Sequence, residues 1–507
     1  MSSRKLPSDG FAKVAVSGTA WIVSQSILNK IATLLSIYII SLRLSPAEFG
    51  VAILTLSIVK FLVIFPPLTM SDVLIAKQDN YKSNFSYLTN LIFRIGLINS
   101  ILIIVTAPLI AFFYSNYTFS ILVGLIMVAG LRPTGEALAV LPLTNLRQHL
   151  LFKKIALIDG LVQFGATLIT IILAFINAGA LALVLPQIIA VFVKSYLYKK
   201  NQFIEDPVST ETAIVYNSKL KKTLLGNFIN VSSAQYIHSI LDTIPILILG
   251  FVTNESQTGL YGFALQLASQ VNAIISFQLG GVLQPIFAKL NSDPLRQLNA
   301  FIRSLRLISS IVIPLAFMQA ALSTPIFSLF KSEWLPAANI FALLSIVEAF
   351  YFSTAPTMAF LKSQSRFKLY FSWQIIQLIF SLFIYIYSAY FGGAIGLSWA
   401  AVLVWGVSLP LIVWISTRGA GATFMSILKI FLIPIALSLP LALAAFYFSH
   451  LLNAFGLLGT LLSLFIVGPI LLLLSIWLNK FFNPQIYIEI KTYISPLLNK
   501  IKIKKSV

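Results

Sequence analysis

The chain has 507 residues, is 58% hydrophobic and only 10% charged, and carries a net charge of +20; its mean hydropathy is +0.92. A soluble globular chain, with about 25% charged residues, is excluded. The absence of cysteine also removes disulfides, thiol chemistry and cysteine-based metal sites.

A bilayer core of about 30 Å takes roughly 20 helical residues to cross. Apolar runs of that length begin near residues 17, 47, 87, 119, 152, 178, 223, 258, 301, 336, 367, 394, 424 and 454. They predict an all-α integral membrane protein with about 14 transmembrane helices. The first run continues past Lys30 with no cleavage-like segment, so it is expected to stay as a span.

The cations fix the predicted orientation. Of 35 Lys and Arg residues, 29 fall in alternate gaps between the runs, and only Arg43 and Lys331 lie in the others. Cytoplasmic loops collect Lys and Arg, so both termini are predicted to be cytoplasmic. The cations line a membrane rim, where anionic phospholipid headgroups are the natural partner and nucleic acid is not.

Residues 1–198 form a predicted N-terminal lobe of spans one to six, followed by a polar linker at 199–222. A second lobe of spans seven to twelve covers 223–417, spans thirteen and fourteen cover 418–479, and a basic cytoplasmic tail covers 480–507. An internal repeat supports the two lobes: residues 47–57 line up with residues 259–269, which sets Phe49-Gly50 on Tyr261-Gly262. Both copies open the second span of a lobe, as in transporters built from related halves. Prolines interrupt many spans, Pro108, Pro133, Pro186, Pro245, Pro314 and Pro356 among them. Helices bent in this way suit rocking around a cavity.

Lys30 and Lys60 sit near the middle of spans one and two. An isolated central cation costs about 2.5–3.5 kcal/mol on insertion scales, so it faces a partner or a wet cavity. Lys30 belongs to a polar stripe with Ser26 and Thr33. Two convergent ammonium groups repel unless an anion joins them, and a diphosphate is one such anion. The competing reading is a structural pairing with Asp159, Asp242 or Glu348. Each of these carboxylates could also be a proton or sodium coupling site. Arg94 lies near the cytoplasmic end of span three, and Arg132 and Glu136 have the spacing of an intrahelical ion pair. Gln235, His238 and Asp242 share a face of span seven, too few ligands for a metal. Gln266 and Gln270 on span eight, with Asn272, Ser276 and Gln278, could hydrogen-bond a hydroxyl-rich ligand. Interhelical bonding accounts for the same amides. No Walker segment, nucleophile elbow or His-Glu-x-x-His motif occurs, so an enzyme is not expected.

Five segments then come in a recognisable order: Leu44-Ser45-Pro46-Ala47-Glu48-Phe49-Gly50, Ser71-Asp72-Val73-Leu74-Ile75-Ala76, residues 143–159, residues 242–262, and Glu333-Trp334-Leu335-Pro336-Ala337-Ala338. Together they resemble the Wzx-type polysaccharide and O-antigen flippases of the MOP superfamily, especially exporters of colanic and teichuronic acid. Val73 and Leu74 depart from the family's usual small residue and glycine. The resemblance implies two six-helix lobes around a cavity that opens alternately to each side of a bacterial cytoplasmic membrane. It implies a polyprenyl-diphosphate-linked oligosaccharide as substrate, its diphosphate meeting first-lobe cations, and no cofactor. Polysaccharide polymerase or export proteins are conceivable partners, and a monomer is the default. A drug or cation antiporter of the same superfamily, or a non-transporting scaffold of polysaccharide assembly, are the competing readings.

Overall fold

The computed structural model describes residues 33–63, 67, 70–71, 74, 85–149, 151–202, 218–418 and 421–482. Among these residues every regular element is helical. The described chain falls into two compact units, divided between Gly259 and Leu260. Most of the predicted linker, at 203–217, lies outside the described residues.

The first unit opens on helical residues 33–41 and continues with α1 (Pro46–Leu62), α2 (Phe85–Phe113), α3 (Phe119–Ala129) and α4 (Arg132–Gln148). It is completed by α5 (Phe152–Phe175), α6 (Leu181–Asn201), α7 (Ser218–Val252) and the first turn of α8 (Glu255–Lys289). The start of α1 is written in its sequence. Ser45 Oγ accepts the Glu48 N–H, and Glu48 Oε2 accepts the Ser45 N–H at 2.8 Å. Pro46 occupies the first turn, where no intrahelical donor is needed. α6 packs against α4 and α5, α2 against α4, and α1 against α7.

At the N-terminal end of α1 the backbone of α8 comes very close. A Cβ at Gly50 would collide with the Glu255 carbonyl, and one at Gly259 with the Pro46 carbonyl. Small residues allow this approach between membrane helices. The connection from α2 to α3 is tied to the same end. Asn116 Nδ2 donates to the Thr253 carbonyl and Tyr117 Oη donates to Thr258 Oγ1, both at 2.8 Å.

The second unit contains the rest of α8, then α9 (Pro294–Ala321), α10 (Ser323–Phe327), α11 (Ala337–Ser353) and α12 (Ala355–Ser363). It ends with α13 (Phe367–Thr417), α14 (Phe424–Leu452), α15 (Gly456–Leu462) and α16 (Gly468–Phe482). Asp293 and Thr423 cap α9 and α14 by accepting the N–H three residues on. α9 packs against α11, α14 and α16. Its core gathers Phe287, Phe301 and Phe360, the last two stacked with centroids 4.4 Å apart. Trp334 is fully buried and lies 4.1 Å from the Phe263 ring, which anchors the start of α11.

Nine helical stretches among the described residues are long and apolar enough to cross a membrane. α13, with 51 residues, would be about 77 Å long if straight, more than twice the bilayer core. It turns instead at Gly393, whose φ of 55° a side-chain-bearing residue adopts only with strain. That turn falls where a run near 394 is expected. Val105, Phe112, Phe383 and Phe465 keep 70% or more of their surface exposed, as lipid-facing residues do and soluble cores do not.

The prolines divide into two kinds. Pro133 and Pro356 lie in the first turns of α4 and α12, so they open helices and interrupt none. Pro108, Pro186, Pro245 and Pro314 lie inside helices as expected.

Candidate functional site

Lys60 occupies the last turn of α1, not the middle of a continuous helix, because α1 ends at Leu62 and Val63 leaves helical geometry. α1 packs against α7, and the Phe61 and Tyr236 rings lie 6.5 Å apart between them. That packing brings Lys60 Nζ to 3.2 Å from Asp242 Oδ2. The other carboxylate oxygen, Asp242 Oδ1, lies 3.5 Å from His238 Nδ1 on the preceding turn of α7. One carboxylate therefore stands between two nitrogen groups. The Lys60 and Asp242 side chains keep 49% and 35% of their surface, so the pair is not sealed by packing.

The other singled-out residues are placed separately. Lys30 lies outside the described residues. Arg94 is exposed on α2. Asp159 on α5 is 2.6 Å from Lys194 Nζ and accepts the Tyr198 hydroxyl at 2.6 Å, both from α6. Arg132 Nε and Glu136 Oε1 are 2.8 Å apart, as their four-residue spacing predicts. Glu348 is buried on α11, within electrostatic reach of Tyr261. Gln270 is buried on α8 and Gln266 partly so. The side chains of Asn272, Ser276 and Gln278 lie outside the described set.

The sequence reading missed Lys194 and Tyr198 as partners of Asp159. Lys194 lies among basic residues at the end of its apolar run, and it looks from sequence like a simple rim cation. The available signal was helix spacing, since Lys194 and Tyr198 are four residues apart and share one face of α6.

The fold is similar to those of solved membrane transporters. A lipid II flippase MurJ in an inward closed conformation superposes with a TM-score of 0.69 at 15% identity, covering 92% of this chain and 99% of that one. An inward-facing multidrug resistance MATE family transporter of the MOP superfamily gives 0.58 at 12% identity, covering 80% and 100%. The chain thus shares the multi-helix fold of these two proteins. The polysaccharide biosynthesis protein family matches residues 42–339, and the chain belongs to that family. The resemblance to Wzx-type flippases therefore holds at the family level. The succinoglycan biosynthesis transport protein ExoT of Rhizobium meliloti is 22% identical over 456 residues, 88% of each chain. The teichuronic acid biosynthesis protein TuaB of Bacillus subtilis is 23% identical over 377 residues, 72% of this chain and 75% of that one.

Proposed function

We propose that this protein moves a polyprenyl-diphosphate-linked oligosaccharide across a bacterial cytoplasmic membrane by alternating access, for cell-surface polysaccharide synthesis. The family match supports polysaccharide traffic, and the likeness to ExoT along most of both chains supports transport rather than scaffolding. The observation that carries the substrate chemistry is the half-exposed Lys60–Asp242 pair. A lysine facing hydrocarbon is disfavoured by about 2.5–3.5 kcal/mol, so an ammonium left this open faces water.

A solvated ion pair contributes only about 0–1 kcal/mol, so an incoming diphosphate can take Lys60 from Asp242. Asp242 then turns to His238, which already lies beside it. Lys60 would exchange one anionic partner for another, while Asp242 keeps a nitrogen partner in His238. Lys30 and Arg94 are proposed as further diphosphate contacts, and Gln266 and Gln270 as hydrogen-bond partners of the sugar. Asp159, Asp242 and Glu348 are the proposed counter-ion or coupling groups.

The MATE-like fold also fits a cation antiporter. A lysine paired to Asp242 opposes that reading, because it cancels the charge that a cationic drug would seek. Native mass spectrometry of the purified protein, given polyprenyl-diphosphate oligosaccharide, separates the two. Wild type should bind the lipid-linked saccharide and Lys60→Gln should lose it. Binding of cationic dyes with no binding of the lipid-linked saccharide would defeat the flippase reading.

A further inference from the structure

A second cationic site lies wholly within the second unit. A cavity of about 220 Å³ is lined by Arg306 and Ser310 of α9 and by Ser426, Lys429, Ile430 and Ile433 of α14. Each helix supplies one cation and one hydroxyl about a turn apart. On α14 the four residues follow i, i+3, i+4 and i+7, a single helix face. The two helices are locked together below this face, where Ile427, Ile430 and Phe431 share a core with Phe301, Leu305 and Ile308.

Two properties point to a ligand. No carboxylate lines the cavity, and neither Arg306 nor Lys429 makes an ion pair among the described residues. Two neighbouring cations without an anion repel each other. Ser310 is 1% exposed and lines the cavity beside Arg306. A phosphate group lodged in the cavity would meet both cations and the hydroxyl.

The volume and wall decide the source of that phosphate. The cavity is smaller than the roughly 300–1,000 Å³ of sites that enclose drug-sized ligands, so it holds one headgroup. Ile430 and Ile433 form an apolar side that a free inorganic anion would leave unused and an acyl-bearing lipid would cover. Both cations belong to the set of rim residues predicted to face anionic headgroups.

We infer that Arg306, Ser310, Ser426 and Lys429 form a binding site for the phosphate of an anionic bilayer phospholipid, seated between α9 and α14. This site is separate from Lys60 and Asp242 and does not depend on what the transporter carries. Bound there, one lipid would clamp α14 to α9.

The test is native mass spectrometry of delipidated full-length protein titrated with phosphatidylglycerol or phosphatidylcholine, with and without millimolar sodium phosphate. Wild type should retain phosphatidylglycerol in preference to phosphatidylcholine, and Arg306→Gln/Lys429→Gln should bind it about tenfold or more weakly, since two charge-assisted contacts are lost. The charge-keeping Arg306→Lys/Lys429→Arg protein should retain most of the binding, which guards against misfolding of the neutral variant. Equal phosphatidylglycerol binding by wild type and the neutral variant overturns the site. Displacement of the lipid by millimolar inorganic phosphate overturns the lipid as its source.

Discussion

Lys60 and Asp242 are 182 residues apart in sequence and 3.2 Å apart in space. The contact joins the last turn of α1 to the middle of α7, so it reports the packing of those helices as well as their charge. The two roles separate by substitution. Lys60→Gln and Asp242→Asn should each change stability by only about 1 kcal/mol or less, because the pair is half exposed. Their effects on substrate should be opposite. Lys60→Gln removes the anion's partner and should weaken diphosphate binding about tenfold or more. Asp242→Asn removes the competitor and should tighten it. Lys60→Asp/Asp242→Lys keeps the ion pair, so it should restore thermal stability without restoring polymer export in a flippase-deleted cell. Full export by that swapped protein would make the pair purely structural.

The crossing of α1 and α8 has no room for a methyl group. Gly50→Ala and Gly259→Ala each drive a Cβ into a backbone carbonyl, and backbone on both sides cannot yield as a side chain can. Overpacking of this kind costs about 1–3 kcal/mol. The double variant should cost less than the sum, because both methyl groups open one contact. Gly165→Ala on α5 meets nothing within 4 Å and should be neutral or slightly stabilising, since alanine favours the helix. Thermal unfolding in one detergent checks all four proteins, and equal midpoints for Gly50→Ala and Gly165→Ala would contradict the close approach.

Helix positions were legible because a fixed bilayer thickness demands a fixed apolar length. The runs expected near 47, 119, 152, 336, 367 and 424 begin within a residue of α1, α3, α5, α11, α13 and α14. The repeat was legible for a local reason, as Phe49-Gly50 and Tyr261-Gly262 both lie near helix starts. The sequence did not reveal that the tight contact uses Gly259 in place of Gly262, because a helix crossing is set by which face its partner presents. Ion pairing was the least legible feature. Asp242 was one of three candidate partners for Lys60, and only the packing of α1 on α7 selects it. Asp159 has a nearer cation, Lys194, on the neighbouring α6. Spacing along α6 puts Lys194 and Tyr198 on one face, but only the packing of α5 on α6 shows that this face meets Asp159.

Asp159 does two jobs that substitution can divide. It accepts the hydroxyl of Tyr198, which is 1% exposed, and it pairs with the partly exposed Lys194. Asp159→Asn keeps an acceptor for the tyrosine and loses only a solvated ion pair, so it should cost about 1 kcal/mol or less. Asp159→Leu leaves the buried hydroxyl without an acceptor and should cost about 1–3 kcal/mol. Tyr198→Phe in the Asp159→Leu background should recover part of that loss. Export measured beside stability discriminates the coupling role. A normal thermal midpoint with abolished export in Asp159→Asn would assign Asp159 to transport, whereas parallel losses assign it to packing.

The loop between α2 and α3 should make the protein sensitive to alkali. Burial pushes the Tyr114 phenol up to about 12, and it pushes Tyr117 higher still, against the lowering effect of the Thr258 hydrogen bond. The Tyr114 hydroxyl reaches the Leu247 carbonyl at 3.5 Å. Both groups thus favour the protonated form in the folded state. An unfolded tyrosine loses its proton near pH 10, so between pH 10 and about 12 the folded protein holds protons that the unfolded chain has released. Unfolding free energy falls with pH wherever the folded state binds more protons. The contribution of these tyrosines is therefore complete below pH 10 and is lost as pH rises through about 12. Tyr114→Phe/Tyr117→Phe has no phenol to ionise here, so its thermal midpoint should fall less than that of wild type between pH 9 and 11.5. At pH 8 the same variant should be less stable by about 0.5–1.5 kcal/mol, because one hydrogen bond to Thr258 is lost while the Thr258 hydroxyl still donates to the Asn254 carbonyl. Identical alkaline slopes for the two proteins would show that other groups govern the loss.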